Sequence, residues 1–305
     1  MSKPMSRRGL LRTLGGASLG LAGGAGAAFA ATGGRTRPPN VVFILADDLG
    51  WADVGYMGSC FYETPNIDAL AQRGLRFTNA YSANPLCSPT RASILSGLYP
   101  ARLGIIQACC HVGTPKLEAT VAEAGPTHRR AVQVSSANRL DYRHYTLGEA
   151  FRDAGYRTAY YGKWHVGAGP YAPKEQGFDV YEPNTPNAPG PGGGYLGPWR
   201  FVRDPADDKG RPGEHIEDWM SSRAARFIRE NRGRPFLVYY GAYSVHTPIS
   251  AKPKYVEYFA KKVDPACPQQ NPVYAAMVKS FDDAVGTVVR AVDEAGVADD
   301  TIIVF

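Results

Sequence analysis

Residues 40 to 46 read NVVFILA, an unbroken apolar run of strand length, which predicts a strand buried on both faces of a parallel sheet. Strands and helices then alternate. In TPNIDALAQRG, Thr64 is expected as the N-cap, Pro65 at the first helical position and Gly74 as the stop. LRFTNAYS follows as an expected strand. Thr146 and Glu149 have the spacing of a capping box for a helix closing at Gly155, and YRTAYYG after it has strand character. Helical apolar spacing recurs over 215–231 and 272–295, the second marked by Met277, Phe281, Val285, Val288 and Val292. Each precedes a strand, PFLVYYGAY and then TIIVF, the latter expected to be buried.

This alternation predicts an α/β fold with a mostly parallel central sheet sandwiched by helices, a class in which chemistry gathers at the carboxyl ends of the strands. Two stretches break the pattern. Ile106 to Tyr145 is a long insertion of mixed polarity, and Pro183 to Trp199 is too rich in Pro and Gly for a regular element. Both are either loops over a substrate cleft or purely structural loops. Tyr195 and Trp199 lie in the second and are candidate contacts for a carbohydrate.

The first thirty residues change the reading of charge. SRRGLLR is a twin-arginine pattern, followed by a Gly/Ala-rich apolar run and by Ala28, Phe29 and Ala30 as a cleavage site, so residues 1–30 are expected to be a signal peptide. The run is short for a membrane anchor. The expectation is a periplasmic or secreted bacterial protein, exported by the twin-arginine translocase, with no stable membrane anchor. Of the net charge of +6, four positive charges (Lys3, Arg7, Arg8, Arg12) belong to the leader, and the remainder carries about +2. That balance is no nucleic-acid footprint.

Five cysteines, an odd number in an oxidising compartment, suggest a free or modified thiol. Spacing does not pair Cys60, Cys109, Cys110 and Cys267. Beside Cys109, Cys110 and His111 there is no second ligand pair at zinc-like spacing. If Cys87 is the odd one, the other four pair or stay buried. Pro89 fits the first turn of a helix running to Gly97, which makes Cys87 either a residue at its positive end, where an oxyanion is stabilised, or a buried structural cysteine. Asp47 and Asp48 directly follow the first strand. Adjacent carboxylates there either share a cation or divide between a turn cap and water.

Four ordered stretches carry a resemblance. CSPTRASILSG from Cys87 is similar to the sulfatase signature CxPxR with its trailing aliphatic residues and glycine, and GYRTAYYGKWHVG resembles the second signature of that family. PNVVFILADDLGWADVG and TPNIDALAQRG stand in the expected order. The likeness spans Pro39 to Phe305 apart from the two irregular stretches, with Ser96 and Tyr161 as small departures.

The resemblance implies an enzyme of the formylglycine-dependent type, a sulfuric ester hydrolase with an alkaline phosphatase-like fold. A formylglycine-generating maturation enzyme would oxidise Cys87 to an aldehyde, whose hydrate attacks sulfur and later collapses to expel sulfate. Asp47, Asp48 and the diol at position 87 would bind calcium, with magnesium the less favoured ion. Arg91 would hold the diol and the neighbouring carboxylates, and Lys163 would neutralise a sulfate oxygen. His165 would take the proton that triggers collapse, and His246 would assist the leaving group. His111, His128, His144 and His215 have no such support and are taken as structural. A sulfated glycan is the expected substrate.

In that family the strand matching TIIVF is followed by an Asp-Asn pair completing the cation shell, by a sulfate-binding lysine and by a smaller domain. The expectation for 31–305 is thus a catalytic domain incomplete at its C-terminus. The alternatives are a phosphonate or phosphate ester hydrolase of the same superfamily, or an inactive sulfatase fragment.

Overall fold

A computed structural model describes residues 37–128, 130–183, 191, 194–199 and 210–305. The leader expected at 1–30 and much of the Pro/Gly stretch lie outside them.

Five parallel strands make one sheet: β1 (Asn40–Leu45), β2 (Arg157–Gly162), β3 (Val180–Glu182), β4 (Phe236–Gly241) and β5 (Thr301–Val304), in the order β3-β2-β4-β1-β5. In register, Val41 faces Leu237, Thr158 faces Leu237 from the other side, and Val41 faces Ile302. Parallel neighbours require crossovers, and the helices supply them: α1 (Pro65–Arg73), α2 (Cys87–Ser96), α3 (Pro100–Leu103), α4 (Leu147–Asp153), α5 (Ile216–Asn231), α6 (Pro253–Ala260) and α7 (Pro272–Glu294).

Because side chains alternate along a strand, each strand feeds two cores. Val42, Ile44, Ala159, Tyr161, Phe236, Val238 and Tyr240 point to one face, where α5 and α7 contribute Trp219, Ile228, Phe281, Val285 and Val288. Tyr160, Leu237 and Tyr239 point to the other, packed with Ala92 and Leu95 of α2 and with Trp164 and Phe178. β1 is fully closed on one face and only partly covered on the other: Val42 and Ile44 are buried, whereas Val41, Phe43 and Leu45 pack half-buried against the second core. That corrects the expectation of a strand buried on both faces.

Two further strand expectations change. LRFTNAYS forms no strand, and Leu75, Phe77 and Tyr81 are exposed. β5 forms as expected but at the sheet edge, with Ile302 and Val304 exposed rather than buried.

The capping box of α4 is present: Thr146 Oγ1 accepts from Glu149 N at 3.2 Å, and Glu149 Oε2 accepts from Thr146 N at 2.8 Å. At α1 the expected cap fails. Thr64 Oγ1 instead accepts from Gly55 N and donates to Asp68, while the free amides of Asn66 and Ile67 donate to Asp282 Oδ1 of α7 at 2.9 Å each. A buried carboxylate more than two hundred residues away does the capping, which satisfies the helix-end donors and joins α1 to α7.

Cys60 and Cys267 form a disulfide closing a separation of 207 residues. Among the described residues no helix is long and apolar enough to cross a membrane.

Candidate active site

The carboxyl ends of β1, β2 and β4 and the N-terminus of α2 converge. β1 delivers Asp47 and Asp48, β2 delivers Lys163 and His165, the turn after β4 delivers His246, and α2 begins at Cys87. The expected catalytic and metal-binding side chains are thereby at one end of the sheet.

Close packing there depends on glycine. Gly162 has φ 104°, and a Cβ on it would sit 2.1 Å from Gly241 O, while a Cβ on Gly241 would lie 3.0 Å from Arg91 Nη1. These two residues are register partners in neighbouring strands, so their small size leaves the channel through which Arg91 reaches the sheet end.

Arg91 is buried and donates from Nη1 to Lys163 O at 2.6 Å and from Nη2 to Asp47 Oδ1 at 3.2 Å. Lys163 Nζ donates to Asp47 Oδ2 at 2.5 Å. Both oxygens of one buried carboxylate are thus held by two buried cations. Burial is the largest single influence and works against the Arg91 charge, but Asp47, Tyr160 and Tyr239 together outweigh it and raise the guanidinium above its ordinary value. Lys163 is lowered, by burial first and then by Arg91. Tyr160, stacked on Tyr239 at 4.7 Å and edge-on to Trp164, donates to Lys163 O and forms the aromatic wall beside these ions. It was not anticipated, since nothing local in RTAYYG distinguishes Tyr160 from Tyr161.

Cys87 Sγ lies 3.2 Å from His165 Nδ1, and His165 Nε2 lies 2.9 Å from His111 Nδ1. His111 was expected to be structural, yet the structure brings it from the long insertion onto His165. What holds it is Arg139, whose buried guanidinium donates to the carbonyls of Cys110, Val112 and Gly113. No sequence spacing signals a contact spanning 54 residues. His165 is fully buried and its pKa is pushed down to about 2, by burial and by Lys163 and Arg91, so it is neutral at ordinary pH. His128 and His144 have no recorded contact to this cluster, and His215 caps α5 with Nδ1 accepting from Glu217 N.

The other half is more open. His246 Nε2 stands 3.8 Å from Asp48 Oδ2, and the Asp48 side chain is 53% exposed against 4% for Asp47. Among the described residues, Asp48 (φ 63°) and His165 (φ 54°) are the non-glycine residues with left-handed backbones, a strain that the surroundings must hold in place.

Asp47 and Asp48 present the oxygen donors a hard cation takes. They do not complete a site for one. Asp47 is already engaged twice by cations, and among the described residues no group of three His, Cys, Asp or Glu side chains is placed to hold a metal. The expected calcium shell of Asp47, Asp48 and residue 87 is therefore only a partial set, and no step below passes through a metal.

Tyr195 and Trp199 correct another expectation. Neither faces solvent: Tyr195 is buried with its hydroxyl on the carbonyls of Tyr243 and His246, and Trp199 packs on Trp219. Aromatic residues in a Pro/Gly-rich stretch serve the core here.

Comparison with known proteins places this geometry. The family described as Sulfatase matches residues 39–305. N-acetylgalactosamine-6-sulfatase of Homo sapiens is 30% identical over 299 residues, covering 89% of this chain and 50% of that protein. Arylsulfatase G of Mus musculus is 32% identical over 298 residues, 85% of this chain and 50% of that one. The crystal structure of Ps i-CgsB in complex with k-i-k-neocarrahexaose has a TM-score of 0.68 at 26% identity, covering 88% of this chain and 57% of that chain. The chain spans about half the length of the curated relatives it matches.

Proposed function

Because the chain belongs to the sulfatase family, we propose that it hydrolyses sulfate monoesters at a centre built on residue 87. The observation that carries this is the joint placement of Cys87 at the first turn of α2, 3.2 Å from a neutral buried histidine and beside a two-cation cluster. A sulfated carbohydrate is the proposed substrate class, supported by the carbohydrate complex of Ps i-CgsB.

Formylglycine at position 87 would supply an aldehyde whose hydrate is an oxygen nucleophile. The chain's own residues do the rest. The N-terminal end of α2 carries partial positive charge and suits an anion. Arg91 and Lys163 are near enough to lower the proton affinity of His165, which means they set a positive field at the thiol side of the site. A bound sulfate ester compensates that field. Compensation raises the basicity of His165 at the stage when a proton has to be taken, and His165 Nδ1 is the atom placed to take it. His111, exposed and bonded to the other ring nitrogen, gives that proton a route to water. His246 would bind the ester oxygen and protonate it as it departs.

The proposal extends to calcium, for which Asp47 and Asp48 would provide part of a shell of about six to eight oxygens. It extends also to maturation by a formylglycine-generating enzyme, and to twin-arginine export to the periplasm or beyond. The Cys60–Cys267 disulfide supports an oxidising compartment.

The deciding experiment is to produce the chain with a formylglycine-generating enzyme, weigh the peptide containing residue 87, and assay 4-nitrophenyl sulfate beside a phenyl phosphonate ester. Sulfate turnover that disappears in Cys87→Ala with the fold retained is expected. A protein with confirmed formylglycine that cleaves only the phosphonate ester, or neither, overturns the proposal.

A further inference from the structure

The turn that carries His246 is held by a residue outside the reacting group. Glu217, in the first turn of α5, is fully buried and directs its carboxylate into the segment after β4. Oε1 accepts from Tyr243 N at 3.0 Å and from Ser244 N at 2.8 Å, and Oε2 accepts from Tyr240 Oη at 2.5 Å. On the far side of the same turn, Tyr195 Oη lies 2.7 Å from Tyr243 O and 2.6 Å from His246 O. The turn is grasped from both sides.

It is also fastened to the end of β1. Asp47 N donates to Ser244 O at 2.8 Å, and Val245 N donates to Asp47 O at 2.5 Å. Glu217 therefore bonds the amide of Ser244, whose carbonyl accepts from Asp47 N, and the amide of the preceding Tyr243, while making no hydrogen bond to Cys87, His165 or His246 itself. Its burial is hard to explain by packing. A buried carboxylate is costly, and among the described residues no ion pair neutralises Glu217. Burial pushes its pKa up, against the pull of its donors from Tyr240, Ser244 and Tyr243. A carboxylate does offer what this place requires, acceptor capacity on both oxygens at once.

We propose that Glu217 is a positioning residue of this site: by clamping the Tyr243 and Ser244 amides, with Tyr195 as the second clamp, it sets His246 and the Asp47–Asp48 end of β1 in mutual register. The effect on turnover rests on the sulfatase reading above. The clamp itself does not.

The two are tested separately in the full chain. Amide hydrogen exchange at 243–246 reports the clamp and needs no formylglycine, while 4-nitrophenyl sulfate kinetics of the matured parent report the activity. In Glu217→Ala, exchange of these amides is expected to rise at least about tenfold with near-ultraviolet circular dichroism unchanged. Its kcat should fall roughly 10- to 100-fold with KM moved by less than about threefold, the signature of a displaced group. Glu217→Gln keeps an acceptor for both amides and should return kcat to within about fivefold of the parent. If Glu217→Ala does not fold, Tyr195→Phe takes its place, with faster exchange at 243–246 and a smaller fall in kcat expected. Unchanged exchange in the variant that folds, or loosened amides with parental kcat, overturns the proposal, as does Glu217→Gln behaving no better than Glu217→Ala. An inactive parent with a protected turn would count against the sulfatase reading and leave the clamp standing.

Discussion

The two halves of the site differ in how far they are finished. Asp47, Arg91, Lys163 and His165 are buried and held by hydrogen bonds and ion pairs, whereas Asp48 and His246 are partly in solvent at 3.8 Å from each other. The closed half has exchanged water for fixed dipoles and charges in advance, as a preorganised site does. The open half keeps the freedom to adjust to whatever alcohol leaves. Under the proposed function, the closed half would recognise the anion and the open half the leaving group.

The sharpest way to break that division is kinetic. His165→Ala should slow release of sulfate by roughly 10²- to 10⁴-fold, the usual worth of a general base, and trapped sulfate on the protein should be visible by mass. The loss should be the same for every ester, because the step follows departure of the alcohol. His246→Ala should behave otherwise. It should hurt a sugar sulfate, whose alkoxide needs a proton, far more than a nitrophenyl sulfate, whose leaving group does not. Equal losses on both esters in the His246 variant would remove the division of labour.

Stability should show the same contrast. Asp47→Ala strips two buried cations of their shared partner, and leaving a buried charge uncompensated costs about 3–5 kcal/mol. Asp48→Asn alters a side chain that is 53% exposed and tolerates the same left-handed backbone, so it stays within about 0.5 kcal/mol. Urea unfolding of both variants measures the gap, and similar midpoints would show that the Asp47 cluster is less dry than its burial implies.

How much of this was legible follows the range of the interactions. Cys87 at the start of α2, the capping box of α4 and the carboxylates after β1 are written within a few residues of themselves, and the helix-start signals and the apolar run of β1 place them where the structure has them. What was missed depends on partners far along the chain. Asp282 capping α1, Arg139 holding the loop of His111, and Glu217 gripping the turn of His246 have no local signature. Exposure was equally hidden. An apolar run such as TIIVF predicts a strand but does not say whether it lies inside or at the edge, and Tyr195 in a Gly-rich stretch does not reveal that its ring turns inward.

Acid should destabilise the fold through a buried neutral histidine. His215 is buried against Tyr195, and burial pushes its pKa down to about 3, with Lys252 adding to the effect. The unfolded chain takes up a proton there near the ordinary value of about 6.5, while the folded protein does not until about 3, so its contribution is full above pH 6.5 and is lost as pH falls below it. The slope from one such proton is about 1.4 kcal/mol per pH unit. His215→Asn keeps an acceptor for Glu217 N at the cap and cannot titrate. Between pH 6 and 4.5 its stability should fall less steeply than the parent's by about that amount, and parallel curves would contradict the assignment.

The smallest effect runs in the opposite direction. Asp48 holds φ 63°, a left-handed conformation that costs an L-residue roughly 1–2 kcal/mol, less for Asp than for most. Glycine adopts it freely, though with more entropy to lose from the unfolded chain. With a largely exposed side chain and no buried partner lost, Asp48→Gly should therefore stabilise the fold by about 0.5–1 kcal/mol. Asp48→Asn, which tolerates the same region, should stay close to the parent. Sulfate ester turnover should fall in both, because the carboxylate facing His246 is gone. A gain in urea midpoint together with a loss of activity would locate the strain at the open half as a cost kept for function. If Asp48→Gly unfolds more readily than the parent, the left-handed turn is supported by the carboxylate itself, and the open half is as preorganised as the closed one.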